Sequence, residues 1–180
     1  MKKNINLGKA ECFFPYKTHG ITNCLELCKK VLGKHGITNY GSSSNIFKLM
    51  HETGGKLQYF GNNPTENYKK AIECIDNHLE NGRPIIVGVN HTLNRGINDG
   101  ATDHFVVTYG RAYDNEIRAY YYLYYEVGKS SIASGFNDAL NRLYYIEGEK
   151  PLFYDPESSR GDKARFDVVQ VRPNDGTIAK

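Results

Sequence analysis

The segment that most constrains the fold is a run of six large side chains, Tyr120–Tyr125 (YYYLYY). Successive side chains of a β-strand point to opposite faces of its sheet, so this run places aromatic rings on both faces. The chain holds 14 tyrosines and no tryptophan, which makes tyrosine the outlier of its composition. We therefore predict a long strand over Ile117–Tyr125, and keep an aromatic groove for a sugar or a peptide as the alternative interpretation.

The rest of the chain divides into a helical first part and a strand-rich second part. Apolar periodicity and end signals predict three helices, the first capped by Thr22 and the second closed by Gly54-Gly55. They cover Asn23–Leu32, Ser42–Met50 and Glu66–Glu80. Apolar runs bounded by turn residues predict further strands over Pro84–Val89, His104–Tyr109, Leu143–Ile146 and Phe166–Val171. Helices followed by strands predict an α+β fold in which helices cover a mostly antiparallel sheet.

Length and charge limit the classes of protein that this chain fits. A chain of 180 residues predicts a single domain, with a core over residues 18–172 and a frayed end over Pro173–Lys180. Its 23 basic and 20 acidic side chains are scattered and nearly balanced, which argues against a nucleic-acid partner. No apolar run approaches the roughly 20 residues of a membrane helix. Met1–Lys9 lacks the apolar segment of a Sec signal peptide, so we predict a cytoplasmic protein without a membrane partner.

The four cysteines are predicted to be reduced thiols, because no export signal places the chain in an oxidising compartment. Cys24 and Cys28 are four residues apart and, with a histidine, offer zinc as an alternative, but a CxxC pair is absent. We therefore predict no metal and no other cofactor. Cys12 in an extended apolar segment, Cys74 inside a helix and Cys28 one turn deep are predicted to be structural.

Three residues in a particular chain order point to nucleophilic chemistry. Cys24 lies at the start of a predicted helix, where free N–H groups and the helix dipole stabilise a thiolate. His104 opens a strand directly after a polar loop, and Glu126 ends the next strand. Neighbouring antiparallel strands bring such ends together, and a carboxylate there orients the imidazole and favours its protonated form. Taken singly, each residue also has a structural interpretation: a buried thiol, a hydrogen-bonded histidine and a solvated charge.

The same segments resemble a known family. The stretches Thr22–Cys28 (TNCLELC) and Asp103–Arg111 (DHFVVTYGR) are similar to the papain-like cysteine peptidase superfamily, and within it to the NlpC/P60, CHAP and C39-like amidases and peptidases. Gly88–Arg111 also resembles small bacterial amidase toxins, including effectors of type VI secretion. The resemblance covers residues 18–128. It implies a papain-like fold, with N-terminal helices packed on a mostly antiparallel sheet.

The resemblance also implies roles for individual residues. Cys24 becomes the nucleophile, His104 the general base and Glu126 the residue that orients the imidazole, with Asp114 and Asp155 as rivals for that third role.

The oxyanion site departs from the family pattern. No glutamine precedes Cys24 at the usual spacing, and the bulky Leu25–Leu27 follows it where small residues are common. The backbone N–H of Cys24 is then the expected donor, with Asn23, His19 and Asp103 as further oxyanion or substrate-binding candidates.

The function that the resemblance implies is hydrolysis of an amide bond in peptidoglycan peptides by a bacterial cysteine hydrolase. Such an enzyme, made in the bacterial cytoplasm without a Sec signal, implies delivery to the periplasm of a target cell. It also implies a cognate immunity or inhibitor protein. Two alternatives stay open: a protease or deamidase that acts on a protein with the same three residues, and a non-catalytic binding module.

Overall fold

Six antiparallel strands close into a barrel in this computed structural model, which describes residues 2–94, 98–158 and 164–179. The strands within these residues are β1 (Ile5–Asn6), β2 (Phe47–Lys48), β3 (Met50–Thr53), β4 (Lys56–Tyr59), β5 (Ile85–Asn90), β6 (His104–Asp114), β7 (Ala119–Tyr125), β8 (Arg142–Ile146), β9 (Leu152–Asp155) and β10 (Phe166–Arg172). The α-helices there are α1 (Cys24–Lys34), α2 (Pro64–Glu80) and the single turn α3 (Ile132–Gly135).

The barrel closes because β6 pairs with a strand on each side. The order around it is β6, β5, β10, β9, β8 and β7, and β7 then returns to β6. Every pair is antiparallel, including the closing pair, in which Val107 lies opposite Tyr125. The short β1 and β2 extend this sheet along β6 and β10. A separate hairpin, β3–β4, completes the strands of the described residues.

The predicted papain-like α+β fold is therefore wrong. The described chain is mostly a closed six-stranded barrel with three short helices, not a sheet covered by packed N-terminal helices. The sequence pattern missed β9, which joins β8 to β10 and so completes the barrel. Local alternation identifies a strand but does not name its partners, so an open and a closed sheet leave the same pattern.

The helix predicted over Ser42–Met50 is also wrong. The structure has β2 and β3 in this region, and Gly54-Gly55 forms the tight turn between β3 and β4. Both glycines have positive φ angles, 59° and 72°, as a two-residue hairpin turn with matching twist requires. The glycines therefore reverse a hairpin rather than end a helix.

Two apolar clusters pack on opposite sides of the sheet. One joins α2 to Val106, Tyr122 and Tyr124, and the other joins α1 to Phe105 and Tyr125. The predicted alternation of β7 is confirmed, since its even-numbered tyrosines belong to the first cluster and Tyr125 to the second. The start of α1 is thereby fixed against the start of β6.

Within the described residues, no helix combines the length and the apolar character that crossing a membrane requires.

Candidate active site

Cys24 is the first residue of α1 and is half-buried. The cap of this helix is Asn23, not the predicted Thr22, and its side-chain oxygen accepts hydrogen bonds from the N–H groups of Leu25 (2.9 Å) and Glu26 (3.2 Å). The N–H of Cys24 itself has no hydrogen-bond partner within the described residues. It is thus available to a ligand next to the thiol.

The cap gives a stability prediction. Asn23→Ala is expected to lower the free energy of unfolding by about 1 kcal/mol, because two N–H groups of the first turn lose their acceptor. Urea unfolding followed by circular dichroism measures this change. Asn23→Asp is the matched control, since its carboxylate keeps the acceptor and suits the helix dipole. An unchanged midpoint in Asn23→Ala would show that the cap does not support α1.

His104, the first residue of β6, is buried and points its Nε2 atom at a buried carboxylate. Nε2 donates a hydrogen bond to Oε1 of Glu126 over 2.7 Å, and the backbone N–H of Gly128 donates to the same oxygen. Glu126 follows directly after β7 and is fully buried. Because Glu126 occupies Nε2, the ring nitrogen left to face Cys24 is Nδ1.

The electrostatics of this group favour an ionised thiol. Burial lowers the pKa of His104, but the charge of Glu126 and hydrogen bonds to Cys24 and Glu126 outweigh it and raise this pKa to about 10. Burial likewise raises the pKa of the Cys24 thiol. The hydrogen bond and charge of His104, with smaller contributions from the N–H groups of Phe105 and Leu25, lower this pKa by more, so it lies below its ordinary value. The arrangement supports a thiolate beside an imidazolium.

The other three thiols differ from Cys24 in this respect. Cys12, Cys28 and Cys74 are free and buried, and burial raises the pKa of each, for Cys74 to about 12. A buried thiol that holds its proton is a poor nucleophile. The structure therefore separates Cys24 from the others by its environment. Among the described residues, no group of three or more histidine, cysteine, aspartate or glutamate side chains is arranged to hold a metal ion.

The structure thus brings Cys24, His104 and Glu126 together, and within the described residues neither rival of Glu126 forms a hydrogen bond with His104. Asp114 lies at the opposite end of the 11-residue β6, roughly 30 Å from His104 at the usual rise of a strand. It accepts hydrogen bonds from the turn that follows. Asp155 is buried near Glu126, but its Oδ2 accepts a hydrogen bond from the hydroxyl of Tyr124 (2.7 Å). Burial raises the pKa of Asp155 to about 6.

The three further candidates have different surroundings. His19 lies exposed in a turn at residues 18–20, packed on Phe14 at 6.2 Å between ring centroids. Asn23 uses its side-chain oxygen as the helix cap, so only its amide nitrogen is left for a substrate. Asp103 is bound to His91 rather than directed at an oxyanion. The backbone N–H of Cys24 is therefore the oxyanion donor that the geometry supports.

The sequence places His91 in a loop at the rim of the predicted cleft and gives it no partner, whereas in the structure it forms a second histidine–carboxylate pair. Its Nδ1 lies 2.6 Å from Oδ1 of Asp103, and its ring centroid lies 6.1 Å from that of His104. The pairing of Val89 with His104 brings the end of β5 beside the start of β6. The sequence contained a signal for this contact in the two predicted strands, Pro84–Val89 and His104–Tyr109. When these strands pair antiparallel, the residues that follow the first strand lie beside the start of the second.

Comparisons of the chain with protein-family models, with curated proteins and with solved structures find no match. A functional assignment therefore depends on the residues and geometry of the site.

Proposed function

We propose that this chain is a cysteine hydrolase that cleaves an amide bond. The observation that carries the proposal is the buried pair of His104 and Glu126, which holds positive charge beside a thiol at a helix N-terminus. Nucleophile, base and orienting acid form the contact chain that covalent acyl transfer requires.

The reaction follows from the positions of these groups. The Cys24 thiolate attacks the carbonyl carbon of the substrate, and a carbon–sulfur bond forms while the oxyanion accepts a hydrogen bond from the Cys24 N–H. The imidazolium of His104 gives its proton to the amide nitrogen, the carbon–nitrogen bond breaks and the amine leaves. Water then attacks the thioester and gives a proton to His104, the carbon–sulfur bond breaks, and the acid and the thiolate are released beside a restored imidazolium. Glu126 keeps the ring of His104 in place throughout.

Peptidoglycan peptides are the substrate that we propose. The order cysteine, histidine, acid is the one that the papain-like superfamily uses, which supports thiol chemistry, and the segment Gly88–Arg111 resembles small amidase toxins. A net charge of +3 suits an anionic cell wall. Delivery into the periplasm of a target cell and inhibition by a cognate immunity protein belong to the same proposal.

The test is digestion of purified sacculi, followed by mass spectrometry of the released muropeptides. The wild-type chain is expected to give new amide-cleaved products, and Cys24→Ala and His104→Ala are expected to give none. Cys12→Ala is the matched control, because it removes a buried thiol that the site does not use, and it should retain the products. Products that persist in Cys24→Ala would contradict the role of Cys24 as the nucleophile. A folded wild type that gives no products would contradict peptidoglycan peptides as the substrate.

A further inference from the structure

A cavity lies at the opposite end of β6 from the proposed catalytic group. It has a volume of about 390 Å³, which is within the range of ordinary small-molecule sites. Tyr113 near the end of β6 and Tyr120 near the start of β7 line it. His104 begins β6, so about 30 Å separates the imidazole from this cavity at the usual rise of a strand. The proposed chemistry therefore leaves the cavity without a role.

The cavity is lined by tyrosines that lie in one row across the sheet. Tyr113 lies opposite Tyr120 on the neighbouring strand, and Tyr120 lies opposite Tyr145 on the next one. The rings of Tyr113 and Tyr120 meet edge-to-face at 5.0 Å between centroids. All three side chains are half-buried, so each has an accessible part that can contact a ligand. The row gives the cavity a broad aromatic wall.

The tyrosines also bring hydroxyl groups to this wall. Within the described part of the chain, the hydroxyls of Tyr113 and Tyr145 form no hydrogen bond with the protein. Burial and, to a smaller extent, the charge of Glu147 raise the pKa of Tyr145 to about 12. Its hydroxyl thus keeps its proton and can both donate and accept a hydrogen bond.

The charges around the cavity balance one another. Arg118 and Glu147 line it with opposite charges. Lys2 also lines it, but its ammonium group is already paired with Asp76. A lining without a net field favours an uncharged ligand over an acidic or a basic one.

Two other classes of ligand fit this lining poorly. An extended peptide binds through the free edge of a strand, whereas β7 is paired on both sides, with β6 and with β8. An aliphatic tail would leave hydroxyl and charged groups without partners. A sugar ring matches both features, because its C–H faces pack on aromatic rings and its hydroxyls bond to the polar groups around them.

We propose that this cavity binds a saccharide chain, which in the proposed substrate is the glycan that carries the peptides. The inference rests on the proposed function for the identity of this glycan, and it adds a second site of contact with the cell wall. Neighbouring strands lie ~4.8 Å apart, close to the length of one sugar unit, so successive sugars can contact successive tyrosines. Contact at two sites raises the affinity for the polymer and leaves the chemical step unchanged.

The experiment measures co-sedimentation with purified sacculi, in a Cys24→Ala background that leaves the wall intact. Tyr113→Ala and Tyr145→Ala are each expected to weaken binding about tenfold, because each removes one ring of the row. Tyr113→Phe keeps the ring and should weaken binding less. Tyr144→Ala is the matched control, because the next residue along β8 turns its side chain to the other face of the sheet, and it should bind like the background.

Activity separates this site from the catalytic one. In a chain that keeps Cys24, Tyr113→Ala should cleave sugar-free peptidoglycan peptides at the wild-type rate, which also shows that the variant is folded. It should release products from sacculi about tenfold more slowly when sacculi are scarce. Calorimetric titration with N-acetylchitotetraose, used as the saccharide probe, should give binding to the Cys24→Ala background that the additional Tyr145→Ala substitution weakens.

The outcomes distinguish a failure of this inference from a failure of the proposed function. Binding to sacculi that is unchanged in Tyr113→Ala and Tyr145→Ala, or is weakened equally in Tyr144→Ala, overturns this inference alone. Loss of binding of a sugar-free peptide, instead of the saccharide probe, in Tyr113→Ala overturns it in favour of a peptide site. Sacculi that bind through these tyrosines but are not cleaved by the wild type overturn the proposed function and support the saccharide site.

Discussion

Glu126→Gln is expected to lower amide hydrolysis on the order of 10⁴-fold, because it removes the charge that maintains the proton on His104. The glutamine amide can also donate to Nε2, which would leave His104 with the wrong tautomer. The pKa of His104 should then fall, and Cys24 should lose the neighbouring positive charge that lowers its own pKa. The pH at which alkylation of Cys24 reaches half its maximum should therefore rise toward that of an ordinary thiol.

Two measurements test this effect: product release from sacculi, and the rate of iodoacetamide alkylation of Cys24 as a function of pH. Asp155→Asn is the matched control, because it also removes a buried acid near Glu126, yet this acid binds the hydroxyl of Tyr124 instead of His104. Its alkylation profile should stay close to that of the wild type. Equal shifts in the two variants would mean that buried negative charge in general, and not the contact with His104, sets the reactivity of Cys24.

Asp76→Ala is expected to destabilise the fold by about 3–5 kcal/mol, because it leaves a buried guanidinium without its main partner. Arg111 on β6 is fully buried and forms an ion pair with Asp76 on α2 at 2.5 Å. The hydroxyl of Tyr122 donates to the same carboxylate over 2.9 Å. Urea unfolding gives the free-energy change. Lys2→Met is the matched control, because Lys2 pairs with Asp76 from the exposed side, and its loss should cost less than about 1 kcal/mol.

A double substitution separates the two possible causes of this loss of stability, which are an unpaired buried charge and lost packing around α2. Asp76→Leu combined with Arg111→Met removes both charges and keeps apolar volume, so most of the stability should return. If the double variant is as unstable as Asp76→Ala, the loss comes from packing around α2 and not from an unpaired charge.

The elements near the site were predictable because their signals are local. A polar cap before Cys24 and apolar spacing after it indicated a helix, which the structure places at Cys24–Lys34. The apolar run after His104 indicated a strand, and alternation assigned the tyrosines of β7 to the correct faces. Helix caps and strand alternation depend on neighbours a few residues apart, so one sequence is enough to detect them.

The sequence by itself determined which residues of the site had the right chemistry: a thiol at a helix start, an imidazole at a strand start and an acid after the next strand. Only the tertiary structure decided that β9 closes a barrel and that Glu126, not Asp155, contacts His104. It also brought His91 beside His104. These outcomes depend on strand pairing and register between distant segments, and a one-residue change of register would turn every side chain of a strand to the other face.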